Sequence, residues 1–168
     1  SNEMSLDYSV VHRKFMDIRK KIAVYCNQEA NKLDGEIEID SFSWGVTNPS
    51  PISAGGSGSG KTEFNEFTIV AKTSKASPIL MLSCAEGNHY PNATLTVRKA
   101  GDQFEYLKIK LTDILISGYK NTGDKGAAPT DNFSLNFGKI KIEYIPQNEN
   151  GTAGTPVNAE WDLKNKKV

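Results

Sequence analysis

The sequence predicts a mostly β protein, a barrel or a sandwich, with one short helix among the strands and an amphipathic helical segment ahead of them. Three observations carry this. From Leu33 onward the chain falls into short runs in which apolar and polar residues alternate, the period of a strand with one face buried. Clusters of Gly, Asn, Asp, Ser and Pro separate those runs. Ahead of Leu33 the spacing changes to three- and four-residue steps, the period of a helix.

Taken in order, residues 5–31 place Leu6, Val10, Val11, Phe15, Ile18, Ile22, Tyr25 and Cys26 on one helical face. Ser5 suits the N-cap and Asp7 the first turn. The opposite face carries Arg13, Lys14, Asp17, Lys20 and Lys21, a charged face expected to lie in water. "KKIAVYCN" reads alternatively as a strand. This divides the chain into an N-terminal helical segment, 1–32, and a β domain, 33–168.

In "GEIEIDSFSWGV" strict alternation puts Ile37, Ile39, Ser41 and Ser43 on one face and Glu38, Asp40, Phe42 and Trp44 on the other. "EFTIVAK", "ATLTVRKAG", "FEYLKIKLTDILISGYK" and "FSLNFGKIKIEYIP" come next as strands. Leu107, Ile109 and Leu111 oppose Lys108 and Lys110. Ile140 and Ile142 oppose Lys139, Lys141 and Glu143. "KNTGDKGAAPTDN" and "PQNENGTAGTPVN" read as turn-rich connections. "SPILMLSCAEG" is the exception: Ser77 as N-cap, Pro78 at the first helical position and Gly87 as terminator predict a short helix. Leu80, Met81, Cys84 and Ala85 are expected to pack on the strands.

Composition excludes more than it selects. The 20 Lys and Arg balance the 20 Asp and Glu, so no global field attracts nucleic acid or an anionic membrane. The longest apolar run, "SPILMLSCA", is too short to span a bilayer as a helix, and the N-terminal residues carry no secretory leader pattern. Cys26 and Cys84 are expected as buried free thiols. His12 and His89, the latter in the turn "EGNHYP", have no partner set that completes a catalytic or zinc site. Glu105, Asp113 and Glu143 read as solvent-face strand residues. No catalytic, metal or cofactor site is expected.

One motif argues otherwise. Gly55 to Thr62 reads "GGSGSGKT", a match to the phosphate-binding pattern G-x-x-x-x-G-K-[ST]. That loop functions between a buried strand and a helix, whose N-terminal N–H groups hold the phosphates. Here Pro49 and Pro51 precede it, and the strand-like "TEFNEFTIVAK" comes after it. The expected reading is a flexible connection between strands. A nucleotide-binding enzyme using Lys61 and Thr62 is the first alternative. A β-sandwich adhesin or carbohydrate-binding module is the second.

The blocks "IEIDSFSWGV", "SPILMLSCAEGNHYPNATLTVRKAG", "YLKIKLTDILISGY" and "DNFSLNFGKIKIEYIPQNENGTAG", with Trp161 after them, resemble the hemolysin-coregulated (Hcp) family of type VI secretion. The resemblance spans Glu36 to Trp161. It implies a compact β-barrel of two sheets with one short side helix. It also implies a structural rather than catalytic role. Six copies would form a homohexameric ring, and rings would stack into a tube within a sheath behind a spike. The tube would carry small effector proteins and leave the bacterial cytoplasm without a signal peptide. In that family the Gly/Ser segment is an extended loop. Pro51, Gly55, Gly58, Gly60 and Lys61 are therefore expected to serve ring assembly. Ser43 and Ser117 are expected to face an effector-holding lumen. Family members open on a strand of the F-x-K-I-x-G type, where this chain has its Leu6–Ala30 segment.

Overall fold

The computed structural model describes residues 3–7, 37–49, 61–99 and 104–165. Among the described residues ten strands and one helix succeed one another. They are β1 Glu3–Asp7, β2 Ile37–Ile39, β3 Ser41–Ser43, β4 Val46–Thr47, β5 Glu63–Phe64, β6 Phe67–Lys72, α1 Ser77–Glu86, β7 His89–Arg98, β8 Glu105–Asp124, β9 Ala127–Tyr144 and β10 Val157–Asp162. Eight strands form one antiparallel sheet in the order β2-β1-β7-β8-β9-β6-β3, with β10 added to β9; β4 and β5 form a second, two-stranded sheet. The first and last strands of the large sheet, β2 and β3, are separated by the single residue Asp40. Its N–H donates to Val70 O at 2.7 Å. One residue cannot span an open sheet, so the two edges meet and the sheet closes into a barrel.

The interior is filled by Phe67, Ile69, Leu95, Ile109, Leu111, Ile114, Ile116, Phe133 and Leu135, all nearly solvent-free. They come from alternate positions of β6 to β9, as the sequence alternation requires. The alternation changes phase in both long strands at one shared bend. Buried positions run Ile109, Leu111, then Ile114, Ile116 in β8, and Phe133, Leu135, Phe137, then Ile140 in β9. The slip falls at Asp113, whose φ of 55° is the one positive non-glycine value among the described residues. Thr112 pairs with Lys139 and Ile114 with Phe137, so Gly138 lies across from Asp113. A side chain at Gly138 would approach Asp113 Cβ to 3.3 Å. Two successive outward residues on each strand let one hairpin bend around the core and keep its apolar side inside.

Several sequence expectations change. The helix expected from Ser5 does not begin there. Glu3–Asp7 is a strand that pairs with β2 on one side and β7 on the other. The backbone groups of two neighbouring strands outweigh a local helical periodicity. Residues 8–36, which hold "KKIAVYCN", His12, Cys26 and the remainder of the expected helix, lie outside the described residues, as does the 32/33 division. The "KNTGDKGAAPTDN" stretch is mostly strand. β8 and β9 continue through it and turn only at Lys125–Gly126, where Gly126 takes φ 92°. His89 opens β7 opposite Leu115 rather than sitting in a turn.

Helix α1 also differs in detail. Ser77 is its first residue, not its cap; Ala76 holds the cap position without a side-chain hydrogen bond. The Ser77 hydroxyl instead donates to Asp131. Gly87, at φ 67°, ends the helix, with its N–H on Cys84 O and that of Asn88 on Ser83 O, the paired bonds of a Schellman terminus. The inward face is Ser77, Leu80 and Ser83. Cys84 is half-buried, while Met81 and Ala85 are exposed, which corrects the expected face.

Candidate functional site

The outward surface of β3, β6, β9 and β8 carries a transverse row of hydroxyls. Ser43 pairs with Thr68, Thr68 with Ser134, and Ser134 with Gly118, the neighbour of Ser117. Each lies between core residues: Phe67 and Ile69 flank Thr68, and Phe133 and Leu135 flank Ser134. A strand that buries its odd positions must present its even ones. Ser43 is exposed, and Thr68, Ser134 and Ser117 are half-buried. Ser117 faces the same surface by alternation after the inward Ile116, and the register shift between Ile116 and Gly118 sets both Ser117 and Gly118 against Ser134, with the Ser117 Oγ 2.9 Å from Ser134 Oγ. Gly118 permits this closeness, since a Cβ there would come within 3.0 Å of Ser134 Oγ. The row is small, polar and uncharged. Such a surface stays wetted and offers weak hydrogen bonds to a polar neighbour.

Ser43 reaches this surface by a route that strict alternation misses. Ile37 and Ile39 point inward, yet Ser41 and Ser43 point outward. The phase reverses at Asp40, where the chain leaves its pairing with β1 and joins β6. Phe42 and Trp44 take the inward positions and stack on Phe67, with ring centroids 5.9 and 6.5 Å away. Ser43 thus shares a face with Ser41 but not with Ile37 and Ile39.

Two further clusters brace the barrel. Asp131, buried to 1% exposure, accepts hydrogen bonds from Thr73, Ser77, Tyr119 and Asn121. Burial, and next the carboxylate beside it, push the Tyr119 phenol up. At the bend, Lys164 Nζ donates to Asp113 Oδ2 at 2.6 Å and His89 Nδ1 lies 3.5 Å from Oδ1. The Lys164 hydrogen bond holds the Asp113 carboxyl below its ordinary range, and the same contact raises the Lys164 ammonium. Glu86 bonds Asn88 and not His89. Among the described residues no group of three or more His, Cys, Asp or Glu is placed to hold a metal ion.

The phosphate-loop motif lies mostly outside the described residues, which include only Lys61 and Thr62 of it. The chain beyond Thr62 decides its context: Glu63–Phe64 is a strand paired with Val46–Thr47, and β6 comes next. No helix begins where a nucleotide's phosphates would need one. Pro51, Gly55, Gly58 and Gly60 also lie outside the described residues, and Lys61 is exposed.

The family model described as "Type VI secretion system effector, Hcp" matches residues 15–144. The chain belongs to the Hcp family. It is 37% identical to the protein Hcp1 of Pseudomonas aeruginosa over 108 residues, 62% of this chain and 67% of that one. Its fold is similar to a solved type six secretion system protein, with TM-score 0.82, 22% identity and 99% of each chain covered. It is also similar to Hcp1 from Salmonella typhimurium, with TM-score 0.75, 27% identity and 99% and 98% of the two chains covered. The barrel with one side helix is thus the Hcp fold, as the four sequence blocks implied. Thr68 and Ser134 were not singled out from sequence. Their signal was present as the polar alternates in "FTIVAK" and "FSLNFG", but only the strand register aligns them with Ser43 and Ser117.

Proposed function

We infer that this Hcp-family chain is a tube subunit of a type VI secretion apparatus, closing with five further copies into a ring whose lumen carries small effector proteins. The observation that carries the lumen assignment is the hydroxyl row Ser43–Thr68–Ser134–Ser117. This stretch of the described outward surface is small and uncharged, suited to a wet wall that holds passing proteins weakly. Rings stack within the sheath, and the protein leaves the cytoplasm with the tube. The 48–62 connection, including Pro51, Gly55, Gly58, Gly60 and Lys61, serves contacts between subunits or rings. Head-to-tail contacts that close by rotation are the ordinary route to such rings.

Electron microscopy of the purified protein tests the assembly: six-fold rings support it, and uniform monomers overturn it. Ser43→Gln tests the wall. The larger side chain should lower co-purification of effector with the ring while leaving the ring intact. Unchanged retention in an intact mutant ring removes Ser43 from the lumen.

A further inference from the structure

Beyond the bend at Asp113, the outward surface of the same hairpin changes character. Lys108 and Lys110 project from β8, and Lys139, Lys141 and Glu143 from β9, because Ile109, Leu111 and Ile140 point inward. Thr94, Lys108, Lys110, Lys141 and Glu143 line an open cleft of about 150 Å³. Lys110 and Lys141 stand directly opposite each other across the strand pair. Like charges in that position repel and destabilise a sheet.

The neighbouring carboxylates do not relieve this. Lys108 is held by Glu105 at 3.2 Å. Glu160, opposite Lys141 on β10, turns instead to Lys139 at 3.4 Å. Among the described residues neither Lys110 nor Lys141 has an ion-pair partner. Glu143 shares the cleft without pairing to either. Two lysines are thus set opposite each other by register, without an ion-pair partner among the described residues, in the lining of one concave site.

We propose that the Lys110–Lys141 cleft docks a carboxylate from an acidic segment of a partner protein. A single carboxylate between the two ammonium groups relieves their repulsion and gains two charge-assisted hydrogen bonds. Glu143 on the rim favours a peptide over a small dianion. It repels a second negative charge brought close, and it accepts from a backbone N–H or a basic side chain flanking the acid. The Thr94 side chain supplies a neutral wall. This surface lies on the other half of the hairpin from the hydroxyl row, and the proposal does not depend on the lumen assignment.

The test is calorimetric titration of the full-length protein at low salt with a capped Gly-Gly-Glu-Lys-Gly-Gly peptide, one carboxylate with a basic neighbour, repeated with inorganic phosphate at matched ionic strength. The variants are Lys110→Gln with Lys141→Gln, and, as a control on the far half of β8, Lys120→Gln. Saturable peptide binding is expected, weakened about fivefold to tenfold in the double variant, the scale of two exposed ion pairs, and unchanged in the control. The double variant should melt no lower than the parent, since it loses only a repulsion. Equal weakening by Lys120→Gln would reduce the effect to diffuse charge and overturn the proposal. So would phosphate binding as tightly as the peptide, which would make the cleft a small-anion site, and so would no saturable binding.

Discussion

Asp131 shows how much of the barrel's order hangs on single polar residues. Its carboxylate accepts from four side chains on β8, α1 and the β6–α1 connection, so it fixes the helix to the sheet. Asp131→Ala would take the acceptor from the buried Ser77 hydroxyl and from three donors that reach water, at roughly 1–3 kcal/mol, since a buried group without its partner carries its desolvation cost. Tyr119→Phe, which removes one of the four, should cost only about 1 kcal/mol. Urea unfolding checks both, and a loss under half a kcal/mol for Asp131→Ala would mean that water replaces the network. Asp113 differs in kind, because its side chain is partly exposed. Its carboxyl is lowered in the folded state, so its contribution is present above its ordinary value of 3.8 and is lost as pH falls through the folded one. Asp113→Asn keeps a residue that tolerates positive φ and removes the charge. Its unfolding curve should match the parent's at the lowest pH and fall slightly below it near neutrality. Solvent screening keeps that gap small. A gap that widened on acidification would contradict the sign.

Among the elements, α1 was legible in outline and misread in orientation. Pro78 and Gly87 announce its two ends, and both act as their chemistry predicts. Its packing face was not readable, because Ile79, Leu80, Met81, Leu82, Cys84 and Ala85 are apolar on every side and give no stripe to choose. The structure chooses through two hydroxyls instead: Ser77 bonds Asp131 and Ser83 meets the Tyr90 hydroxyl, which turns Leu80 inward between them. Leu80→Ala should therefore cost about 2–5 kcal/mol. Met81→Ala, at a half-exposed position, should stay within about half a kcal/mol. Comparable losses at both sites in urea would mean that α1 is covered on its outer side as well. The strands were read more surely, since period-two alternation and burial are the same fact seen twice. The exceptions have one cause. At Asp40 and at Asp113 the chain bends to stay on the core, and alternation counted through a bend inverts every assignment beyond it. That is why Ser43 was grouped with Ile37 and Ile39. The hydroxyl row was half legible for a related reason: each serine is visible in its strand, but the alignment of four strands is a property of register alone. In "KNTGDKGAAPTDN" the turn-forming residues masked strand. Only Gly126 makes the reversal, while the ladder from Thr122–Thr130 inward supplies the pairing.

At the scale of the whole molecule, the pairings that join the described strands of the barrel lie outside the 48–62 connection. Its ends are fixed by the Val46–Phe64 and Thr47–Glu63 pairs of a separate two-stranded sheet. Loop length enters stability only logarithmically, at about 0.6 kcal/mol per doubling. Deleting Gly55 to Gly60 should therefore leave the unfolding midpoint of the subunit nearly unchanged. If the proposed assembly role holds, the same deletion should weaken association between subunits or rings, because it shortens the reach of a Gly- and Ser-rich segment. The two readouts separate the roles. Urea unfolding reports the barrel, and sedimentation with electron microscopy reports the assembly. A destabilised subunit would assign the loop to the fold. A deletion variant that assembles and stacks like its parent would leave the loop without an assembly role. Lys61→Ala adds the chemical control. With strands rather than a helix after Thr62, magnesium-ATP should show no saturable binding to either the parent or the variant, and micromolar binding lost on that substitution would return the motif to a nucleotide.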